Sequence, residues 1–538
     1  MGMTRKITAV LACAAVAAAG LTACGNDRRD SGGGATGDTG QISKAEQVLQ
    51  DAGVSIPVTL PLQYNSDHYG DSSDQEYNLV KEQLEATGLF KVDLQSTEWV
   101  TYNKERVDGY PAYQLGWFPD FPDADNYLTP FFDKENFLGN RFDNPTVQSM
   151  LNDERTDTDP SSRQSKIADL QDELAKHLST IPLLQGAQTS VTGQDIKGVQ
   201  DTMDASFQFR FATFVKGDDA AAKVTVGTTD EVTSLDPAGS YDNGSYLVQI
   251  NVYPMVLSFK QGDPTPQPEL AEKCDFSDDG YELTCSIKPG LKWANGNTLD
   301  ANDVKFSYDR QLAIADPNGP SSLLTNLEST SAPDPLTVVF RLKSPNDVTF
   351  EQVLASPTGP IVDDEVFSAT ELTPSETIVA AQAFAGPYTI TTFNINELVE
   401  YAPNPAYNGV QGKPLNGGII MRYYKESNNM RLDIESGTID VVWRSLTATD
   451  YADLEAGGKV NVLYGPGGEI RYIVFNLETM PGDTDEQKLA IRQAIAYSLD
   501  RAALASEVYK GTYTPLCSYV PDGLPGATQS VCDLYGGK

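Results

Sequence analysis

The residues best suited to chemistry crowd into "AYQLGWFPDFPDADNYLTPFF", residues 112–132. Asp120, Asp123, Asp125 and Asn126, with Asp133 just beyond, sit among Trp117, Phe118, Phe121, Tyr127, Phe131 and Phe132. Abundant acids of this kind are what a hydrolase with paired carboxylates uses. Taken alone, Asp120 and Asp123 also read as turn caps after Pro119 and Pro122. Other catalytic constellations lack their parts. The chain has no Gly-x-Ser-x-Gly elbow, no His-Glu-x-x-His and only 2 histidines, His68 and His177.

Cysteines supply the second kind of chemistry. Of 6, Cys13 and Cys24 lie near the start, and the others form two local pairs, Cys274 with Cys285 and Cys517 with Cys532. Outside the cytoplasm both pairs are expected to oxidise. "CDFSDDGYELTC" reads as two short strands around Asp278-Asp279-Gly280, a turn that brings the thiols together. "CSYVPDGLPGATQSVC" closes a Pro/Gly loop. Metal binding is the competing reading, but neither histidine falls in a zinc-like spacing. No metal and no cofactor are expected.

The elements that must carry these residues belong to a large acidic chain. Its 538 residues exceed one ordinary core, so two or three domains are expected. Against 39 Lys+Arg stand 75 Asp+Glu, a formal net charge of -36. Such a surface repels nucleic acid and anionic lipid, favours cationic ligands at long range and keeps a secreted protein soluble.

The N-terminus has an export pattern. Arg5 and Lys6 precede a small apolar run, Ile7 to Gly20, too short and Ala-rich for a membrane span. Leu21-Thr22-Ala23-Cys24-Gly25 resembles a bacterial lipobox, with Cys24 as the lipidated residue. Residues 1–24 are thus read as a lipoprotein signal and 25–41, rich in Gly, Asp and Thr, as a flexible tether.

Helix and strand patterns then alternate. Ser43 to Glu46 reads as a capping box opening a helix that stops at Gly53. A strand at 56–64, a helix at 74–88 and a strand at 90–99 follow, as in an open α/β sheet. A helix beginning at 161 runs into a strand ending at 184. The stretch 214–223 reads as a short flexible joint. Short strands dominate from there to about 400, and 485–511 reads as an amphipathic helical pair.

Four segments together resemble the extracellular solute-binding proteins of ABC importers, in the peptide- and nickel-binding family 5. They are "TSLDPAGSYDNGSYLVQINVYPMVLSF" (233–259), "LKWANGNTLDANDVKFSYDR" (291–310), "YIVFNLETMPGDTDEQKLAIRQAIAYSLDR" (472–501) and "LGWFPDFPDADNYLTPFF" (115–132). Their order differs from the family's, in which the segment with Trp117 comes late. Joining Lys538 to Ile42 restores the family's order, so the chain reads as a circular permutant behind a normal signal and tether.

The resemblance implies a two-lobed, periplasmic-binding-protein-like α/β fold of type II, in the cluster with an extra domain. One lobe is expected at 196–471 and the other at 42–195 plus 472–538, with hinges near 193–198 and 468–476. By the same resemblance the protein is no enzyme. It captures a peptide or similar small solute between the lobes and delivers it to the importer's permease. It is expected as a monomer, lipid-anchored on the outer face of the cell membrane. A peptide receptor or chaperone-like module is the alternative, and a secreted hydrolase a more distant one.

Residue by residue, the resemblance gives Asp120 the solute's ammonium and makes Trp117, next to Gly116, an apolar wall with cation–π character. Tyr241, Asp242 and Tyr253 face the cleft in relatives, although Tyr253 also suits a core position. Asn476 bonds backbone near the hinge. Gln114 stands where some oligopeptide-binding members have an arginine, which leaves the carboxylate-pairing role unassigned. Trp293 and Asp303 read as structural, with Asn302 or Asp303 starting a helix, and Arg492 and Asp500 as a helix salt bridge.

Overall fold

The computed structural model describes residues 39–537 apart from 67, 70, 71, 135, 205 and 207. The signal, Cys24 and most of the tether lie outside the described residues. No helix among the described residues is long and apolar enough to cross a membrane.

Two sheets organise the described chain. A six-stranded sheet runs Phe90–Thr97, Val58–Asn65, Ala112–Trp117, Ile470–Phe475, Thr180–Gly186 and Tyr513–Pro515. Val58, Leu60 and Leu62 alternate inward along their strand, as a period of two requires. A seven-stranded sheet runs Tyr388–Asn394, Leu398–Pro403, Ile419–Tyr423, Val224–Thr228, Val441–Trp443, Gln188–Thr192 and Asn461–Gly465. Each sheet has its own apolar core, one around Tyr77, Leu115 and Ile473, the other around Val226, Tyr308 and Phe340. The result is a two-lobed α/β fold. A four-stranded antiparallel sheet, Ala271–Phe276, Glu282–Ile287, Thr337–Leu342 and Leu327–Asp334, adds to the second lobe.

The helices begin and end for identifiable reasons. Asp159 accepts from Ser162 N at 2.7 Å ahead of Pro160–His177, and Pro160 sits where its missing N–H costs nothing. Thr484 caps Asp485–Ser498, whose buried face is Ala490, Ile491, Ala494 and Ile495.

Several expectations shift. The first helix runs Thr39–Asp51, so Ser43 lies inside it, and the tether read to Gln41 ends before it. The joint at 214–223 is partly ordered: Val215–Lys216 pair with Ile196–Lys197. The helical pair breaks at Leu499, and Asp500 caps the second piece through Ala503 N at 2.9 Å. Asp500 is therefore no partner of Arg492, which donates to the His177 carbonyl at 2.9 Å.

The chain passes between the sheets twice. Ala187 alone separates Thr180–Gly186 from Gln188–Thr192, and residues 466–469 separate Asn461–Gly465 from Ile470–Phe475. The boundary expected at 195/196 therefore moves to Ala187, because Gln188–Thr192 pair with strands of the seven-stranded sheet. The glycines of the second crossing are not there for looseness. A side chain at Gly467 would meet the Gly186 carbonyl oxygen at 1.5 Å, so only glycine allows the crossings to touch.

Candidate functional site

The segment 112–132 is a strand, a loop and a helix, Ala112–Trp117 and Asp125–Phe132. Gly116 lies between neighbours; a Cβ there would sit 3.0 Å from both the Ile470 carbonyl and the Tyr69 ring. Asn126 closes the loop. Its Oδ1 accepts from Trp117 Nε1 at 3.0 Å and Asp120 N at 2.9 Å, and its Nδ2 donates to Asp120 Oδ2 at 3.0 Å. The Trp117 N–H is thus already used, and the ring packs edge-on against Phe131 at 5.2 Å.

Asp120 is buried, and its free oxygen accepts from the hydroxyl of Tyr241, which belongs to the other lobe. Burial pushes the Asp120 carboxyl up, while the bonds from Asn126 and Tyr241 act the other way. Asp120 and Tyr241, 121 positions apart in sequence, are thus brought together.

The neighbouring acids do different work. Asp123 takes both ends of the Arg163 guanidinium at 2.7 Å and also accepts from Asp125 N at 2.8 Å. Asp125 pairs with Arg155 at 3.4 Å. Burial and nearby Asp125 push the Glu154 carboxyl well up. Turn capping therefore holds for part of the cluster, and buried ion pairing for the rest.

Two other candidates lie elsewhere. Asp242 caps the helix Asn243–Val252 through Ser245 N at 2.8 Å and also accepts from Thr233, so its carboxylate is occupied. Tyr253 is core, its hydroxyl donating to the Leu235 carbonyl at 3.0 Å. Gln114 is buried between Asn65 N at 2.9 Å and Ser73 Oγ at 3.1 Å. Asn476 donates to the Val107 carbonyl at 2.8 Å, a backbone bond as expected. Trp293 donates to Asp303 at 3.2 Å, and the helix Ala301–Ile314 is capped by Asp300, with Asp303 inside it completing the box. Both cysteine pairs are joined as disulfides.

A cavity of about 420 Å³ opens between the lobes beside Ala187. The six-stranded lobe contributes His68, Tyr69, Phe118, Arg471 and Tyr513; the other contributes Thr189, Ser427, Trp443 and Arg444. Asp120 is not among its lining residues; Phe118 brings the segment to the cavity. Arg444 is held by both Asp230 oxygens, at 2.6 and 2.8 Å. Arg471 is held by Glu469 at 2.6 Å, by the Tyr69 carbonyl at 2.9 Å and by the Tyr513 hydroxyl at 3.2 Å. Sequence reading missed both arginines. Nothing local marks them, since their surroundings come from distant strands.

The profile described as bacterial extracellular solute-binding proteins, family 5 middle, matches residues 10–139 and 265–534, more than half of the chain. The chain belongs to that family. Family 5 is a family of binding proteins, not enzymes. Among curated relatives, the "Probable D,D-dipeptide-binding periplasmic protein DdpA" of Escherichia coli (strain K12) is 26% identical over 308 residues, 56% of this chain and 58% of the relative. A glutathione-binding protein of Escherichia coli O1:K1 is 27% identical over 305 residues, 57% of each. The chain thus spans a little over half the length of these curated relatives. An ABC transporter substrate-binding protein of Listeria monocytogenes superposes with a TM-score of 0.38 at 23% identity, over 44% of this chain and 47% of that one.

Proposed function

We propose that this protein is the solute-binding component of an ABC importer, taking a peptide or similar small solute into the cavity between its lobes and presenting it to the permease. One observation carries the reading: the cavity lies where the chain crosses twice between two separately cored lobes. Closure of such lobes buries the solute, and the permease would prefer the closed form. Its volume falls within the roughly 300–1,000 Å³ of small-ligand sites. Relatives named for D,D-dipeptides and glutathione agree with the peptide class. Asp120 does not line the cavity, so its role as counter-charge for a solute ammonium requires the solute to displace the Tyr241 hydroxyl and open a path to the buried carboxylate. A thermal-shift panel of di- to octapeptides, sugars and nickel chelates tests this, because a bound ligand raises the midpoint by mass action. Stabilisation by sugars or chelates alone overturns the peptide class.

The same reading includes the permuted order, with the four-stranded sheet as the extra domain of a type II protein. What supports it is proximity: a side chain at Gly536 would meet the Gln41 amide at 2.5 Å, so the segments whose joining restores the family order already touch. Cys24 is the proposed lipid anchor to the outer face of the membrane; Cys24→Ser should release the protein from the membrane fraction.

A further inference from the structure

The loop between Ala112–Trp117 and Asp125–Phe132 does not stay within its own lobe. Phe121 is 5% exposed, and the apolar core it joins is that of the seven-stranded lobe. Among the described residues, no other side chain from 42–184 or 470–535 belongs to that core. Aromatic rings bury some of the largest apolar areas that side chains offer. A single ring across the boundary therefore ties the two bodies together.

The six-stranded lobe holds this ring out on a constrained loop. Pro119 and Pro122 fix φ on either side of it. Asn126 binds Asp120 through both the backbone N–H at 2.9 Å and the carboxylate at 3.0 Å. Asp123 is gripped by Arg163 at 2.7 Å, and its N–H donates to the Phe121 carbonyl at 2.9 Å. A ring presented by such a loop loses little further freedom when it docks.

Two polar contacts join the lobes as well. Asp242 caps Asn243–Val252, and Tyr241 just before it donates to Asp120. Farther along the chain, Val348 N donates to the Arg155 carbonyl at 3.2 Å. Val348 follows the strand Thr337–Leu342, and Arg155 ends the helix Pro145–Arg155. None of these five residues lines the cavity. The lobes are thus held to each other by the chain's own groups, away from the wall that a solute would touch.

We infer that Phe121 anchors a latch that keeps the lobes together before a solute arrives. Entry to the cavity then waits for this ring to leave the other lobe's core. The inference stands on contacts between the lobes and needs no solute for its test. The Val348 amide is bonded across the lobes, so its protection from hydrogen exchange reads the equilibrium for parting them. Native-state exchange is followed on the full chain, on Phe121→Ala and on Phe121→Leu. Amides of the central strands Val224–Thr228 and Ile470–Phe475 serve as references within each lobe.

The expected result is a loss of Val348 protection of roughly 10- to 100-fold in Phe121→Ala. Phe121→Leu should lose less, and the reference amides should keep their protection. Unchanged protection of Val348 in Phe121→Ala overturns the latch. An equal loss at Val348 and at the references also overturns it, because Phe121 would then serve only the stability of a core. If Phe121→Ala does not fold, Phe121→Leu and Tyr241→Phe decide by the same ratio. Failure of the latch leaves the solute-binding reading standing, since that reading is tested separately by the midpoint panel.

Discussion

Tyr241 and Asp120 meet across the two lobes: the phenol donates to one carboxylate oxygen while Asn126 Nδ2 holds the other at 3.0 Å. The Tyr241 residue is 41% exposed, yet its hydroxyl is committed to a buried acid. Tyr241→Phe removes the cross-lobe donor and leaves a buried acceptor short by one bond, a cost of about 1–3 kcal/mol. That cost falls on the arrangement in which the two lobes meet at this bond. The ligand-free variant should therefore open, seen as a larger radius of gyration in small-angle scattering. A scattering curve identical to the parent's would show that the bond does not hold the lobes.

Asp123 and Glu154 both reach Arg163 but should respond oppositely. Asp123 makes two bonds at 2.7 Å to a guanidinium whose side chain is 15% exposed. Asp123→Ala strands that charge, and breaking a buried pair costs about 3–5 kcal/mol. Glu154 is held protonated by burial and by Asp125, so Glu154→Gln copies its resident form and should cost little. Denaturant unfolding of both variants checks the contrast. A small loss for Asp123→Ala would return Asp123 to a mere turn cap.

Asp303 gives the stability a pH slope. Burial pushes its carboxyl up to about 7, from an ordinary 3.8, despite N–H bonds from Asp300, Asp364 and Trp293. The folded chain therefore binds this proton more tightly than the unfolded chain. The contribution is full below about pH 4 and is lost as pH rises to about 7, on the order of 2–4 kcal/mol in all. Asp303→Asn should flatten that fall. The slope is the readout, because asparagine also loses an acceptor for one of the three donors. An unchanged slope would assign the pH dependence elsewhere.

The disulfide Cys517–Cys532 spans 15 residues, and the loop it closes puts Tyr519, Val520 and Leu524 into the core of the six-stranded lobe. A closed loop of that length is worth about 3 kcal/mol by chain entropy. Cys517→Ser with Cys532→Ser should lose about that much. Cys274–Cys285 joins neighbouring strands already paired in register, so its removal should cost less. Thermal midpoints of the two double variants rank them; the reverse order would contradict this account.

How far the sequence could be read follows from where each signal is stored. The strand–helix alternation at 58–97 is local, and it emerged within two residues of expectation at most ends. The tight hairpin between Cys274 and Cys285 was equally local. Asp120 stood out through resemblance, yet its partner Tyr241 lies on another lobe, and no spacing announces it. Asp242 caps its helix, a role that Asp-x-x-Ser before an apolar run marks locally. Arg471 carried no pattern at all, because its environment is assembled from Tyr69, Glu469 and Tyr513.

The proposed exchange of the two halves makes a prediction about the whole chain. A gene that joins Lys538 to Ile42 and opens the chain between Asp218 and Asp219 should give the same protein. The first cut falls in the turn Lys216–Asp219 and gives up its Asp219 N to Lys216 O bond at 3.3 Å; the Asp218 side chain is fully exposed, and its pair with Lys197 at 3.4 Å is a surface contact worth little. The new join is short, since Gly536 abuts Gln41. Loop closure changes only with the logarithm of length, so the unfolding free energy should stay within about 1 kcal/mol. Both disulfides should form, and the solute profile should be unchanged, because neither cut touches the cavity lining. A rearranged chain that fails to fold, while the parent folds, would mean the present order is required by the structure and is no permutation of it.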